Sequence, residues 1–138
     1  EFDNEQGEGE QPVILHQAVY GSIERWIGIL LEASQGLLPE WIHPQPVALV
    51  TGNDSVLDYA NQIRGDIEQQ DISVLCEFGD HSVGRKIKRS FELKIPNIII
   101  IGEQEAQAGK LTIRRGKHIE MINKEELISF LKAKQNLR

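Results

Sequence analysis

The segment NIIII, residues Asn97–Ile101, decides the fold of this chain. Its four consecutive isoleucines lack the polar alternation of a strand that faces water on one side. An unbroken β-branched run of this length indicates a strand that is buried on both faces. Such strands belong to sheets that helices cover on both sides. The segment therefore predicts an α/β fold in which NIIII is a buried strand.

Strand patterns alternate with helical patterns on either side of NIIII. Strands are predicted at residues 46–51 (PVALVT), 72–76 (ISVLC), 111–115 and 119–122. Helices are predicted at residues 55–69 and 83–93, and from Asn123 to about residue 134. The pieces TGND and GEQEAQAG read as turns. This alternation predicts a mixed, mostly parallel sheet of about five strands with helices on both faces.

The stretch HQAVYGSIERWIGILLE, residues 16–32, predicts an amphipathic helix over residues 22–34. Its apolar residues recur at helical spacing, at Ile23, Trp26, Ile27, Leu30 and Leu31. Ser22 can cap the start of the helix, and Glu24 suits the first turn because the helix dipole favours an acid there. Gly36 is the expected C-cap. Residues 12–15 read as a short strand, and residues 1–11 as an acidic loop or disordered segment.

The same stretch resembles the third signature motif of class II aminoacyl-tRNA synthetases. The residues that match are the run PVILHQA followed by G-S-x-E-R, and they are most similar to threonyl-tRNA synthetases. The resemblance continues to about residue 122, through the anticodon-binding domain of that family. It implies that residues 1–43 end a catalytic domain and that residues 44–138 form the anticodon-binding domain. The proline-punctuated connector PEWIHP, residues 39–44, would join them.

The resemblance implies a threonine–tRNA ligase, which joins threonine to tRNA(Thr) with ATP. Arg25 would then contact ATP, Ser22 would lie beside the amino-acid pocket, and His16 would be one of three protein ligands to a zinc ion. The other two zinc ligands of the family lie upstream and have no counterpart here, and zinc needs at least three protein ligands. We therefore expect this chain to be part of a longer protein, inactive alone and without bound ATP or zinc. In this chain alone Arg25 would be an ordinary solvated helix arginine.

Two groups of basic residues are candidates for RNA contact. The first lies in the predicted helix 83–93 and just beyond it, at Arg85, Lys86, Lys88, Arg89 and Lys94. Because Val83, Ile87 and Phe91 form the inward face, most of these charges are expected to face solvent, either as a plain hydrated surface or as a phosphate-binding one. The second group is Lys110, Arg114, Arg115 and Lys117, and the two groups together could form one patch.

The resemblance also assigns readers of the anticodon to Asp80, Lys88, Glu105 and Arg114. Lys88 stands where the family has arginine, so it keeps the charge but loses the bidentate fork. Asp80 stands where the family has asparagine, and a carboxylate accepts hydrogen bonds but does not donate them. The predicted RNA-binding set is Asp80, Arg85, Lys88, Arg89, Glu105 and Arg114. Splayed single-stranded anticodon bases are the kind of target that such a surface suits.

Composition is compatible with this interpretation. The net charge is −6, but five acids in the first ten residues leave the remaining chain near −1, so RNA binding is not excluded. Cys76 is the single cysteine, which excludes a disulfide framework and fits the cytoplasm, and no apolar run is long enough to cross a membrane. The expected partners are tRNA(Thr), with ATP and threonine for the whole enzyme, and a second copy in a homodimer. The alternative is a non-catalytic paralogue that uses the same domain as an RNA- or protein-binding module.

Overall fold

The computed structural model describes residues 2–3 and 5–135. Glu1 and Asn4 of the expected acidic segment, and residues 136–138 of the expected anticodon-binding domain, lie outside the described residues. Its strands are β1 (Phe2–Asp3), β2 (Gly9–Glu10), β3 (Val47–Thr51), β4 (Val74–Glu77), β5 (Asn97–Ile101), β6 (Lys110–Arg115) and β7 (His118–Asn123). Its helices are α1 (Ile23–Ser34), α2 (Leu57–Glu68), α3 (Val83–Glu92), α4 (Glu103–Ala108) and α5 (Lys124–Gln135), and a 3₁₀ turn at Asp54–Val56 precedes α2.

Five of the strands form one mixed sheet in the order β4-β3-β5-β6-β7. The first three are parallel to one another, whereas β6 is antiparallel to both β5 and β7. The short turn between β6 and β7 allows only antiparallel pairing, because a parallel pair needs a long crossover. The predicted five-stranded mixed sheet is therefore confirmed, but the expectation that it is mostly parallel is wrong, because two of its four strand pairings are antiparallel.

Helices cover the sheet unequally on its two faces. On one face α2 and α5 pack against Val47, Leu49, Ile99, Leu111 and Ile113, so that β3, β5 and β6 are all covered. On the other face α3 packs against apolar side chains of β3, β4 and β5, and among the described residues this apolar cluster includes none from β6 or β7. Each buried aliphatic side chain contributes about 1.5–3 kcal/mol to folding, so both clusters stabilise the central strands. The α3 side of β6 and β7 is left open.

The connector before β3 is attached to the domain through Asn97, which is fully buried. The side-chain amide of Asn97 donates to Glu40 Oε2 at 3.0 Å and to the Pro46 carbonyl at 3.1 Å. Partial burial also lowers the pKa of His43 in the same connector. In contrast, no residue of α1 is buried, although its sequence predicts an amphipathic helix with an apolar stripe.

The structure corrects several local expectations. Residues 12–15 form no strand, whereas Phe2–Asp3 and Gly9–Glu10 pair within the segment expected to be irregular. The left-handed C-cap of α1 is Gln35 rather than Gly36, which follows it and is also left-handed. The segment after β5 was read as a turn but forms α4, a helix of six residues that is too short to leave a clear periodic pattern.

Candidate nucleic-acid interface

The candidate interface is built on the uncovered side of β6 and β7. Arg114 pairs with Ile98 on β5 and with Ile119 on β7, and Thr112 pairs in the same way with Ile100 and Met121. Residues paired across a sheet lie on the same face, and Ile98 belongs to the cluster under α3. The open sheet face, defined here as Thr112, Arg114, Ile119 and Met121, therefore lies beside α3.

Arg114 is held in a fixed position on this face by two contacts. Its guanidinium carbon lies 4.8 Å from the centre of the Phe91 ring of α3, and its Nε donates to the Gly116 carbonyl at 3.2 Å. A planar cation stacked on an aromatic ring loses little freedom when it forms a further hydrogen bond. Phe91, predicted only to face inward, is thus also the support for Arg114.

Glu105 is oriented at the other end of the open sheet face. Its Oε2 accepts the Gly102 backbone N–H at 3.2 Å, and its Oε1 accepts the Thr112 hydroxyl at 3.0 Å. A Cβ on residue 102 would lie 2.7 Å from Oε2, so a larger residue there would displace the carboxylate. Carboxylate oxygens have further lone pairs, so Glu105 can still accept hydrogen bonds from a ligand.

Helix α4, which bears Glu105, is itself anchored to the turn after β3. Asn53 Nδ2 donates to Glu103 Oε1 at 2.7 Å and the Ser55 hydroxyl donates to the same atom at 3.0 Å. These hydrogen bonds lower the pKa of Glu103. The sequence reasoning missed Asn53, Ser55 and Thr112. Only the spacing of Thr112 and Arg114, two residues apart on one strand, could have placed Thr112 beside the predicted site.

The basic residues of α3 differ in exposure and in their partners. Lys86 was expected to face solvent with the others, and this expectation is wrong. Lys86 is only 3% exposed, and its Nζ donates to the Thr51 carbonyl at 2.9 Å. Position 86 lies one turn from Val83 and from Ser90, so it faces the sheet and its long stem reaches the end of β3. Arg89 forms an ion pair with Glu77 at 3.3 Å, although most of its side chain is exposed. Arg85 and Lys88 are exposed, and Lys88 lies 3.7 Å from Glu92.

A polar cavity of about 250 Å³ is lined by these side chains: Glu77, His81, Arg85, Lys86, Lys88, Arg89 and Glu92. Its lining contains two arginines, two lysines and two carboxylates, so basic side chains outnumber acidic ones there.

The second basic group is divided between the two faces of the sheet. Arg114 faces α3, whereas Arg115 forms an ion pair with Glu120 and lies 4.6 Å over the Phe130 ring of α5. Successive residues of a strand point to opposite faces, which is why these neighbours separate. Hydrogen bonding with His118 and with Arg115 lowers the pKa of Glu120. The contact between Arg114 and Phe91 places this arginine of the second basic group beside α3, which carries the first.

Asp80 lies in an exposed position after β4, at the other side of the sheet from β7. Strands β4 and β6 are three strand spacings apart, or roughly 14 Å. The four predicted anticodon readers are therefore carried by different elements: the loop after β4, α3, α4 and β6. Glu105 and Arg114 flank Thr112, and Lys88 lies one helical turn before Phe91, whereas Asp80 precedes α3 and is next to His81, which lines the same cavity as Lys88.

The predicted site residues before the connector lie on an exposed segment. The Ser22 hydroxyl accepts the Arg25 backbone N–H at 3.3 Å, so Ser22 caps α1 as expected. His16 and Ser22 line an open cleft of about 560 Å³ with Tyr20 and Trp26. Within residues 2–3 and 5–135, no group of three His, Cys, Asp or Glu side chains could hold a metal ion. His16 alone therefore does not fit a zinc ion.

No described helix is long and apolar enough to span a membrane.

Comparisons with known proteins show which family and which proteins this chain resembles. The family model described as the anticodon binding domain matches residues 46–134. The chain is 34% identical over 133 residues to the threonine–tRNA ligase catalytic subunit of Sulfolobus acidocaldarius, covering 95% of this chain and 24% of that protein. It is 35% identical over 133 residues to the threonine–tRNA ligase of Orientia tsutsugamushi, covering 95% of this chain and 20% of that protein.

A solved structure has the same fold. It is the RNA binding domain of threonyl-tRNA synthetase from Cryptosporidium parvum, with a TM-score of 0.79 and 25% identity over 84% of this chain and 30% of that one. The resemblance to threonyl-tRNA synthetases is thus confirmed. The chain spans about a quarter or less of the length of these curated relatives.

Proposed function

The chain belongs to the anticodon binding domain family, and from that premise we propose that it is the tRNA-binding part of a threonine–tRNA ligase. The full-length protein would join threonine to tRNA(Thr) with ATP. Two similar proteins from different organisms, both threonine–tRNA ligases that align over 95% of this chain, support this assignment. These relatives favour a threonine–tRNA ligase over a non-catalytic paralogue. No feature of the described residues supports the paralogue.

The open sheet face is the observation on which the binding mode rests. It presents a cation, Arg114, and an oriented acceptor, Glu105, on either side of Thr112. Unpaired bases expose both donors and acceptors on their edges, and proteins read them there. We assign Glu105 and Arg114 to base edges, and Arg85, Lys88 and Arg89 to phosphates. Asp80, which lies in the loop between β4 and α3, would contact a different nucleotide.

Residues 1–43 would complete the catalytic domain of the whole enzyme, with a boundary at about residue 44. Arg25 is exposed and could contact ATP there, and Ser22 would lie near threonine. Because His16 has no two further ligands among the described residues, a zinc site would need residues from elsewhere in the parent protein. We further propose that the enzyme is a cytoplasmic homodimer.

Two measurements on the purified chain test this function. In fluorescence anisotropy, the chain should bind a tRNA(Thr) transcript more tightly than a transcript whose anticodon bases are exchanged, because Glu105 and Arg114 read base edges. In ATP–pyrophosphate exchange with threonine, it should be inactive, because the chain spans only about a quarter or less of the length of its threonine–tRNA ligase relatives. Equal affinity for both transcripts would refute anticodon reading. Exchange above background would refute the assignment as the tRNA-binding part alone.

A further inference from the structure

Two large apolar side chains of the edge strand β7 are exposed on the open sheet face. Ile119 is 56% exposed and Met121 is 63% exposed. Scattered apolar residues are common on protein surfaces, but these two alternate on one strand and so lie side by side on one face. The opposite face of the same strand packs against the core through Ile122. Their exposure therefore arises because no helix within residues 2–3 and 5–135 covers β7 on the α3 side.

Each of the two apolar side chains lies directly across the strand pair from a residue of the candidate interface. Ile119 pairs with Arg114, and Met121 pairs with Thr112, whose hydroxyl binds Glu105. Side chains at directly paired positions have their Cβ atoms roughly 4.5–5.5 Å apart. The apolar pair is thus next to both polar groups.

We propose that Ile119 and Met121 form a platform on which one unpaired RNA base packs while Arg114 and Glu105 contact that nucleotide. This rests on the tRNA-binding function proposed above. A nucleobase has a flat apolar surface and polar edges, which matches an apolar floor with a cation and an acceptor beside it. The thioether of Met121 is polarisable and packs well against aromatic rings.

The size of the patch disfavours a protein partner. A stable protein interface needs roughly 800 Å² from each partner, far more than two side chains provide. A protein that covered Ile119 and Met121 with apolar groups would also have to satisfy Arg114 and Glu105, which are adjacent to them. A single base needs only a surface of about the size of these two side chains.

Loss of the platform should lower the affinity for RNA without changing how that affinity depends on salt concentration. Packing of a base on apolar side chains releases no counterions from phosphates, so loss of the platform should weaken binding equally at every salt concentration. We expect the double variant Ile119→Ala/Met121→Ala to bind a tRNA(Thr) anticodon stem–loop about 10-fold more weakly with an unchanged salt slope. The variant should fold normally because both side chains are exposed, and its circular dichroism spectrum checks this.

Abasic RNAs locate the base that uses the platform. In a set of stem–loops, each anticodon base is removed in turn. One abasic RNA should bind the wild-type chain about 10-fold more weakly than the intact RNA does. The double variant should bind this abasic RNA and the intact RNA with equal affinity, because it already lacks the platform. The variant Met121→Leu should keep wild-type affinity. The control is Ile29→Ala, which removes an apolar side chain of similar exposure on α1 and should have no effect.

The outcomes separate this inference from the function on which it rests. If the wild-type chain does not bind tRNA, both are overturned. If it binds and the double variant binds as tightly, the platform alone is overturned. If every abasic RNA loses affinity equally for both proteins, no base uses the platform and the proposal is again wrong. A change of oligomeric state in light scattering without loss of RNA binding would identify a protein interface instead.

Discussion

Arg85 and Lys88 are the two cations of α3 whose removal tests phosphate contact without disturbing the fold. Both are exposed, and the pair that Lys88 forms with Glu92 is long and exposed on both sides. Such a pair contributes at most about 0.5 kcal/mol. Arg89 is unsuitable because it pairs with Glu77, whose side chain is only 9% exposed and would be left unpaired. The variant is therefore Arg85→Gln/Lys88→Gln.

The size of the effect follows from counterion release. Each lost contact to a single-stranded phosphate lowers the salt slope by about 0.7, so two contacts lower it by about 1.4. Because the electrostatic contribution vanishes near about 1 M salt, this slope corresponds to about a 25-fold loss of affinity at about 0.1 M. Fluorescence anisotropy with labelled tRNA(Thr) between about 50 and about 200 mM salt measures both quantities.

A variant with the same change in charge elsewhere provides the control. Arg64→Gln/Lys132→Gln removes two cations from α2 and α5, which lie on the opposite face of the sheet. It should leave the salt slope within experimental error of wild type, because these residues are remote from the interface. If the α3 variant also keeps the wild-type slope and affinity, α3 has an ordinary hydrated surface and the assignment of phosphate contacts is wrong. If both variants lose affinity equally, the effect is one of net charge only.

Two further predictions concern the buried Lys86 and the exposed apolar stripe of α1. Lys86→Met should keep the salt slope of RNA binding, because the buried ammonium donates to the Thr51 carbonyl rather than to RNA. It should change the free energy of unfolding by less than about 2 kcal/mol. A flattened salt slope in a well-folded variant would contradict this. The purified chain should self-associate through α1, because Ile23 and Ile27 are exposed and no residue of that helix is buried; light scattering should then show a monomer for Ile23→Glu/Ile27→Glu, and a monomeric wild type would disprove the association.

Local patterns in the sequence were sufficient for the regular elements of the domain. NIIII is a buried strand with the predicted bounds, because a β-branched run has few other stable environments. Helix α2 buries Ala60, Ile63 and Ile67 as its spacing predicts. The motif in residues 16–32 was sufficient for the family. These features depend on residues close together in the chain, so periodicity and motif spacing report them directly.

The tertiary structure alone decided how the candidate interface is arranged. Lys86 is buried and Lys88 is exposed, although both belong to one basic run, because only position 86 faces the end of β3. Arg114 rests on Phe91 and Arg115 on Phe130, because different helices lie on the two faces of β6. Ile119 and Met121 are exposed because none of the described helices covers β7 on the α3 side. A strand pattern reports that side chains alternate, but which face is covered depends on contacts between residues distant in sequence.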